Sequence, residues 1–165
     1  MRYQVVVLAS EMGDAVNIES FSWKRSPSPD DHGTFNDMAI YMGLCDSDQL
    51  GSTFDDNYIA GTRTLVMSSP SYTTETVEVN EWFTFAFNTP YWYNGQDNLL
   101  IEIEWSTGAG SLYTWHWNAG TSRSMYAHYG GSTALVQQSI APNLRLDGTL
   151  SLSNSTFARI KAAFN

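Results

Sequence analysis

Apolar and polar positions alternate along most of this chain with a period of two residues, which is the period of a β-strand rather than of a helix. Stretches rich in β-branched and aromatic residues carry the alternation, and segments rich in Gly, Pro, Asn, Asp and Ser separate them. The predicted strands are 4–9, 17–24, 38–44, 62–68, 74–80, 82–88, 98–105, 112–118, 124–129, 134–139 and 143–150. Such short, closely spaced strands predict an all-β fold, a two-layer antiparallel β-sandwich or jelly roll.

The strand from Trp82 to Phe87 indicates how the two layers face each other. Its sequence WFTFAF places Phe83, Phe85 and Phe87 on one face and smaller or more polar residues beside Trp82 on the other. We expect the phenylalanine face to pack against the opposite sheet.

The end of the chain departs from the strand pattern. Ser and Asn residues precede Phe157, Ile160 and Phe164, which follow helical spacing with alanines between them. These features predict a sandwich module over residues 1–148 and a linker with a short amphipathic C-terminal helix over 149–165. The helix would dock either on its own domain or on a partner.

Charge and cysteine content exclude several classes of function. The 165 residues carry a net charge of −9 and no basic cluster larger than Lys24 and Arg25, so nucleic acid is a poor partner. No apolar run approaches the roughly 20 residues needed to cross a bilayer, which argues against membrane insertion. The single cysteine, Cys45, cannot form an intrachain disulfide, and we predict a buried residue at the end of a strand. The abundance of Ser, Thr, Asn, Gly, Tyr and Trp favours a secreted or cell-surface location, although no signal peptide is recognisable.

Several motifs follow one another in a distinctive order. IYMGLCDSDQLGSTF at 40–54 is followed by a lone Trp82, by NTPYWYNGQDNLLIEIEW at 88–105 and by PNLRL at 142–146. This order resembles a secreted bacterial β-sandwich module that serves as an accessory domain of large, multidomain cell-surface proteins. The resemblance covers residues 3–147 and implies an adhesion-like or carbohydrate-binding-like role without catalytic residues. Cys45 and the pair Tyr91 and Trp92 depart from the pattern of the module.

Two aromatic clusters are the main candidates for ligand binding. In LYTWHWN, Tyr113, Trp115 and Trp117 would share one strand face at spacings of about 7 Å. These rings would either fill the sandwich core or, if exposed, form a platform for the C–H faces of a sugar. The second cluster precedes a turn at Asn94 and consists of Tyr91, Trp92 and Tyr93. Because core burial of all three is not expected there, Trp92 is the ring that we expect to be exposed.

Two glutamates raise the question of catalysis. Glu102 and Glu104 share a strand face about 7 Å apart, a separation that overlaps that of glycosidase carboxylates. However, IEIEW is also typical of a half-exposed strand with Ile101, Ile103 and Trp105 inside and both glutamates in solvent. We favour the second interpretation, because no nucleophile or histidine motif accompanies the pair.

Acidic loops offer a possible cofactor site. Asp46 and Asp48 begin one loop and Asp55 and Asp56 lie near its end, and loop carboxylates suit calcium. The spacing does not match an EF-hand, and solvated acids are the alternative in so acidic a protein.

Together these features predict a non-catalytic extracellular binding or adhesion module, with a polysaccharide or other glycan as the leading ligand class. The candidate ligand-binding residues are Tyr91, Trp92, Tyr93, Trp115 and Trp117, and calcium is a candidate cofactor at the acidic loop. The alternative is a self-associating structural subunit or spacer domain of a surface assembly or filament. A glycoside hydrolase ranks third.

Overall fold

The computed structural model describes residues 1–150, and strands dominate it. They are β1 (Arg2–Val7), β2 (Val16–Lys24), β3 (Thr34–Cys45), β4 (Thr64–Thr73), β5 (Trp82–Tyr93), β6 (Asn98–Glu104), β7 (Thr107–Ala109), β8 (His116–Asn118), β9 (Ser124–Ala127), β10 (Val136–Gln138), β11 (Ile140–Pro142) and β12 (Leu144–Leu150). One short helix, α1 (Ala9–Met12), follows β1, and a single 3₁₀ turn spans Asp55–Asn57. Within residues 1–150, no helix has the length and apolarity needed to cross a membrane. The predicted C-terminal helix lies outside the described residues.

The strands form two packed antiparallel layers, which confirms the predicted all-β sandwich. The larger sheet has the order β10-β9-β1-β6-β3-β4, with β7 added on β3. The smaller sheet has the order β12-β2-β5, and β8 pairs with β11 in a separate two-stranded ribbon.

The main core lies between the two sheets. The smaller sheet contributes the aromatic face predicted from WFTFAF, with Phe83 and Phe85 almost fully buried and Phe87 packed at the margin. The larger sheet contributes Ile101 and Ile103 from β6, which are equally buried, as predicted. Each such side chain contributes about 1.5–3 kcal/mol by leaving water, so strand alternation accounts for the pairing of the two layers.

A second, smaller core covers the outer face of the larger sheet. The loop between β3 and β4 folds back over this face and delivers Leu50 and Phe54 to a buried cluster. The sheet contributes Val6, Leu100 and Cys45, and Cys45 ends β3 with 1% exposure, as predicted. As a result, both faces of the central strands β1 and β6 are buried.

Gly43 allows this loop to lie close to the sheet. A Cβ atom at this position would collide with the ring of Tyr58, which packs directly over the β3 backbone. The glycine therefore brings the Tyr58 hydroxyl within hydrogen-bond distance of Glu102 on the neighbouring strand.

Several predicted strand boundaries differ from the structure. Residues 74–80 form no strand, because their backbone wraps around the end of the sandwich, where the Val77 carbonyl accepts a hydrogen bond from Arg25. The turn-like stretch at 89–93 instead continues β5, whereas β12 ends at Leu150, where the predicted strand 143–150 ends. The extension of β5 follows from pairing with β2, whose residue Val16 pairs with Tyr93 on one side and with Leu150 of β12 on the other.

Candidate functional site

Residues 112–118 run past the end of β2 and lead into β8. Thr114 bridges to Arg25 just beyond the end of β2, and the Trp115 amide donates to the Lys24 carbonyl at 2.9 Å. The chain then enters β8, which pairs with β11. This segment is therefore anchored by its backbone at both ends and has no sheet packed over its outer side.

The aromatic rings of this segment are exposed. Tyr113, Trp115 and Trp117 are 55%, 41% and 43% exposed, so they do not fill the sandwich core, and a platform for a sugar stays a prediction. The core between the sheets is already filled by rings such as Phe21 and Phe85, whose centroids are 4.9 Å apart. The indole Nε1–H of Trp115 donates to Asn80 Oδ1 at 2.9 Å, which holds this ring in place.

A cleft of about 460 Å³, which we call the aromatic cleft, opens beside the segment and is lined by residues from Leu112 to His116. Its walls include the rings of Tyr3, Trp23, Trp105 and Tyr113. Polar groups from four further side chains also line it, those of Ser26, Thr114, His116 and Gln138. Rings with a few converging polar groups are the usual composition of a small-molecule site.

A second cavity of about 600 Å³, which we call the apolar groove, opens at the Trp117 end. It lies between β12 and β1, and Pro142 of the β8–β11 ribbon lines both cavities. Arg123 lines the groove beside Trp117, with its guanidinium carbon 5.7 Å from the ring centroid. Of the three exposed rings, Tyr113 therefore lines the aromatic cleft and Trp117 the apolar groove.

The 91–93 cluster contributes only one ring to the surface. Trp92 is 50% exposed, as expected, whereas Tyr91 and Tyr93 are 7% and 0% exposed and are not accessible to a ligand. These residues belong to β5, so alternation sends the two tyrosines inward and the tryptophan outward. Burial raises the pKa of Tyr91 to about 12, and the Tyr93 hydroxyl donates to the Asp97 carbonyl at 2.8 Å.

Trp92 is not part of the same surface as residues 113–117. It pairs with Asn17 at the start of β2, whereas Trp115 is bonded to Lys24 at the end of that strand. Seven residues of strand correspond to about 23 Å, a separation too long for the two tryptophans to contact one small ligand. The structure thus divides the predicted ligand-binding residues between two places.

The expectation that Glu102 faces solvent is wrong. Its side chain is fully buried beneath the β3–β4 loop, and it is held by charged and polar donors. Oε1 accepts from Arg2 Nε and Arg63 at 3.1 and 2.7 Å, and Oε2 accepts from Arg2, Gln4 and Tyr58 at 3.1, 2.8 and 3.2 Å. Sequence periodicity had no access to this contact, because the covering loop is remote in sequence from β6.

Glu104 lies at the edge of the same network and is partly accessible. Burial, together with the neighbouring Glu102, raises the pKa of the Glu104 carboxyl despite the nearby Arg2 and Arg63. Salt-bridge geometry alone suggests the opposite direction, since both arginines lie within 3.3 Å. We favour the raised pKa, because the two guanidinium groups already neutralise Glu102.

The acidic loop residues are dispersed. Asp48 accepts from Asn98 Nδ2 at 2.9 Å, and Asp55 accepts from Arg2 at 2.6 Å, while Asp46 and Asp56 are exposed. No three His, Cys, Asp or Glu side chains within residues 1–150 meet in an arrangement that could hold a metal ion. Calcium binding therefore stays a prediction, without a ready-made set of ligands in this part of the chain.

Sequence reasoning missed most of the aromatic cleft. Tyr3, Trp23 and Trp105 come from three different parts of the chain; Trp105 was assigned to the inside, and Tyr3 and Trp23 were not singled out. Among the lining residues, Tyr113 did belong to a cluster singled out from the sequence. No family model, curated protein or solved structure matches the chain, so the resemblance to secreted bacterial modules stays a prediction.

Proposed function

We propose that this protein is a non-catalytic carbohydrate-binding module whose ligand lies along residues 113–117 and enters the aromatic cleft. The observation that carries the proposal is the exposed row of Tyr113, Trp115 and Trp117, which continues at Tyr113 into the wall of the cleft.

The exposed rings support ligand binding, because the free energy that their burial would release is still available to a ligand. A fully buried large apolar side chain contributes about 1.5–3 kcal/mol, and three neighbouring rings here forgo much of this. Aromatic faces carry partial negative charge, so they attract the polarised C–H groups of a sugar ring. The backbone anchoring at Lys24 and the bond from Trp115 to Asn80 limit the entropy lost on binding.

The cleft supplies the second requirement, hydrogen bonds in fixed directions. Ser26 and Thr114 offer hydroxyl groups, His116 an imidazole and Gln138 an amide. Its volume of about 460 Å³ falls within the usual range for small-ligand sites. No carboxylate lines the cleft within the described residues, which favours ligand binding by hydroxyl and apolar contacts over acid–base chemistry.

The decisive experiment compares single-ring variants on a broad glycan array, followed by calorimetry on any hit. Trp115→Ala and Tyr113→Ala should each weaken binding about tenfold, because one stacked ring is lost. Trp92→Ala removes a similarly exposed tryptophan from the far end of the smaller sheet and is the matched control. Silence of the wild-type protein across the array, or equal losses in all three variants, would refute the proposed site.

The proposed setting is a secreted or cell-surface protein in which this module is an accessory domain. The composition and the resemblance to secreted bacterial modules support it. Fractionation of the source cells, with antibody detection in the medium and on intact cells, tests it directly.

A self-associating structural subunit or filament spacer is the second candidate function. The feature that favours it is the edge strand β10, whose first residue Val136 is 38% exposed and follows Leu135, which is 59% exposed. Exposed apolar residues on a sheet edge invite pairing with another copy. Light scattering that detects only monomers at millimolar concentration would argue against this role.

A further inference from the structure

The apolar groove is lined by side chains that the sandwich buries only in part. Its open side runs along β12, an edge strand that pairs with β2 alone. The partly buried apolar residues in its lining are Val7, Met12, Val16, Leu144 and Leu146. A surface of this kind gains stability when a complementary apolar segment covers it.

The described part of the chain ends at this groove. Leu150, the last residue of β12, lines the groove and is 71% exposed. The following residues therefore start from the groove itself, and Phe157 lies only seven residues further on. Seven extended residues span up to about 23 Å, so the predicted apolar row of Phe157, Ile160 and Phe164 can reach the lining.

Charge complements this apolar match. Glu11, Asp14 and Asp147 line the groove, and Arg123 at its wall is paired with Glu11 at 2.6 Å. All 17 acidic residues of the chain precede residue 151, whereas 151–165 contains two basic residues and no acidic one. The lining carries three carboxylates and one arginine, with Glu11 paired to Arg123 and Asp147 to Arg145, so the attraction for the basic segment is weak and adds little to the apolar match.

We propose that the apolar groove is the docking site of the chain's own segment 151–165. Phe157, Ile160 and Phe164 cover Leu144 and Leu146, and the two basic residues of the segment, Arg159 and Lys161, face the acidic side chains of the lining. Because the segment is tethered at Leu150, its effective concentration is about millimolar, and weak contacts suffice for docking. The inference does not depend on the proposed function.

Docking also brings the segment close to Trp117, the last of the three exposed rings. Trp117 lines the groove, so the docked segment changes the surroundings of its indole. Trp117 is not among the residues that line the aromatic cleft, whereas Tyr113, at the other end of the segment, is.

Nuclear magnetic resonance on the full-length chain tests this proposal. We expect nuclear Overhauser effects between the ring protons of Phe157 or Phe164 and the methyl groups of Leu144 and Leu146. The full-length triple variant Phe157→Ser, Ile160→Ser, Phe164→Ser should lose them and shift the Trp117 indole signal. The docked population should fall more than about tenfold, because three buried side chains are removed.

The control replaces polar residues of the same segment, Ser151→Ala, Ser153→Ala and Ser155→Ala, and should preserve both signals. Unchanged methyl signals of Ile101, in the main core, report that every variant stays folded. Absence of the Overhauser effects in the wild type, or a Trp117 signal that the triple variant leaves unmoved, would overturn the proposal. Effects that arise only between differently labelled molecules would assign the groove to a second copy and would also overturn it.

Discussion

Glu102→Gln is the most direct test of the structural role assigned to this carboxylate. The substitution keeps the size of the side chain but removes its charge in a place without solvent. The wild-type carboxylate accepts five hydrogen bonds, three of them from the guanidinium groups of Arg2 and Arg63. A glutamine has one accepting oxygen, so its amide nitrogen must face donors that it cannot accept from.

The expected loss of stability depends on which carboxylate oxygen the amide nitrogen replaces. An amide nitrogen at Oε1 faces Arg2 Nε and Arg63, and one at Oε2 faces Arg2, Gln4 and Tyr58. In either orientation at least one charged donor loses its partner, at about 1.5–3 kcal/mol each. Arg2 is also left buried with less compensation, since its side chain is 7% exposed. We therefore expect a loss of about 3 kcal/mol, the lower end for a broken buried ion pair.

Urea denaturation at pH 7 measures this loss. With an m value of about 2 kcal/mol per molar, the midpoint should fall by about 1.5 M without a change in m. Glu104→Gln is the matched control, because it alters the same strand face at a partly exposed carboxylate. A loss below about 1 kcal/mol for Glu102→Gln, or an equal loss for both variants, would refute the assigned role of the network.

Three further predictions follow from single contacts. The raised pKa of Glu104 means that the folded state disfavours the charged carboxylate, so the free energy of unfolding falls as pH rises above the ordinary pKa of 4.5. Glu104→Gln should flatten this pH dependence in denaturation curves measured from pH 4 to 8. The variant should not lose stability at pH 7. Gly43→Ala places a methyl group against Tyr58 and should lower the free energy of unfolding by about 2 kcal/mol, as measured by urea denaturation. Gly33→Ala, whose Cβ has no neighbour closer than 3.5 Å, should lower it little. Equal losses in the two variants would contradict the packing argument. Burial raises the pKa of the Cys45 thiol, so alkylation by iodoacetamide should be slow in the native protein and fast in urea, and rapid native labelling would show that the β3–β4 loop opens.

Local alternation correctly predicted which faces of β5 and β6 pack against the opposite sheet. Phe83 and Phe85 were assigned to the core from the sequence WFTFAF, and Ile101 and Ile103 from IEIEW, and all four are buried. In each case a period of two residues separates the two faces of a strand, and the larger apolar face has to leave water.

The same reasoning failed where segments remote in sequence decided whether a side chain is buried. Glu102 follows the rule for a solvent-facing position, yet the β3–β4 loop buries it and two arginines neutralise it. Tyr91 and Tyr93 were assigned to a loop, because PYWYNG contains turn residues, but pairing with β2 extends β5 through them. Both outcomes depend on partners that are remote in sequence.

The sequence by itself thus determined that the chain folds as stacked antiparallel strands, because periodicity and turn residues act over a few neighbours. It also identified Trp92, Trp115 and Trp117 as candidates without deciding whether Trp115 and Trp117 face water. Tertiary structure decided that question, since exposure depends on which sheet covers a strand. It also placed Tyr3, Trp23 and Trp105 beside Tyr113 in one cleft, because distant strands meet only when the two layers close.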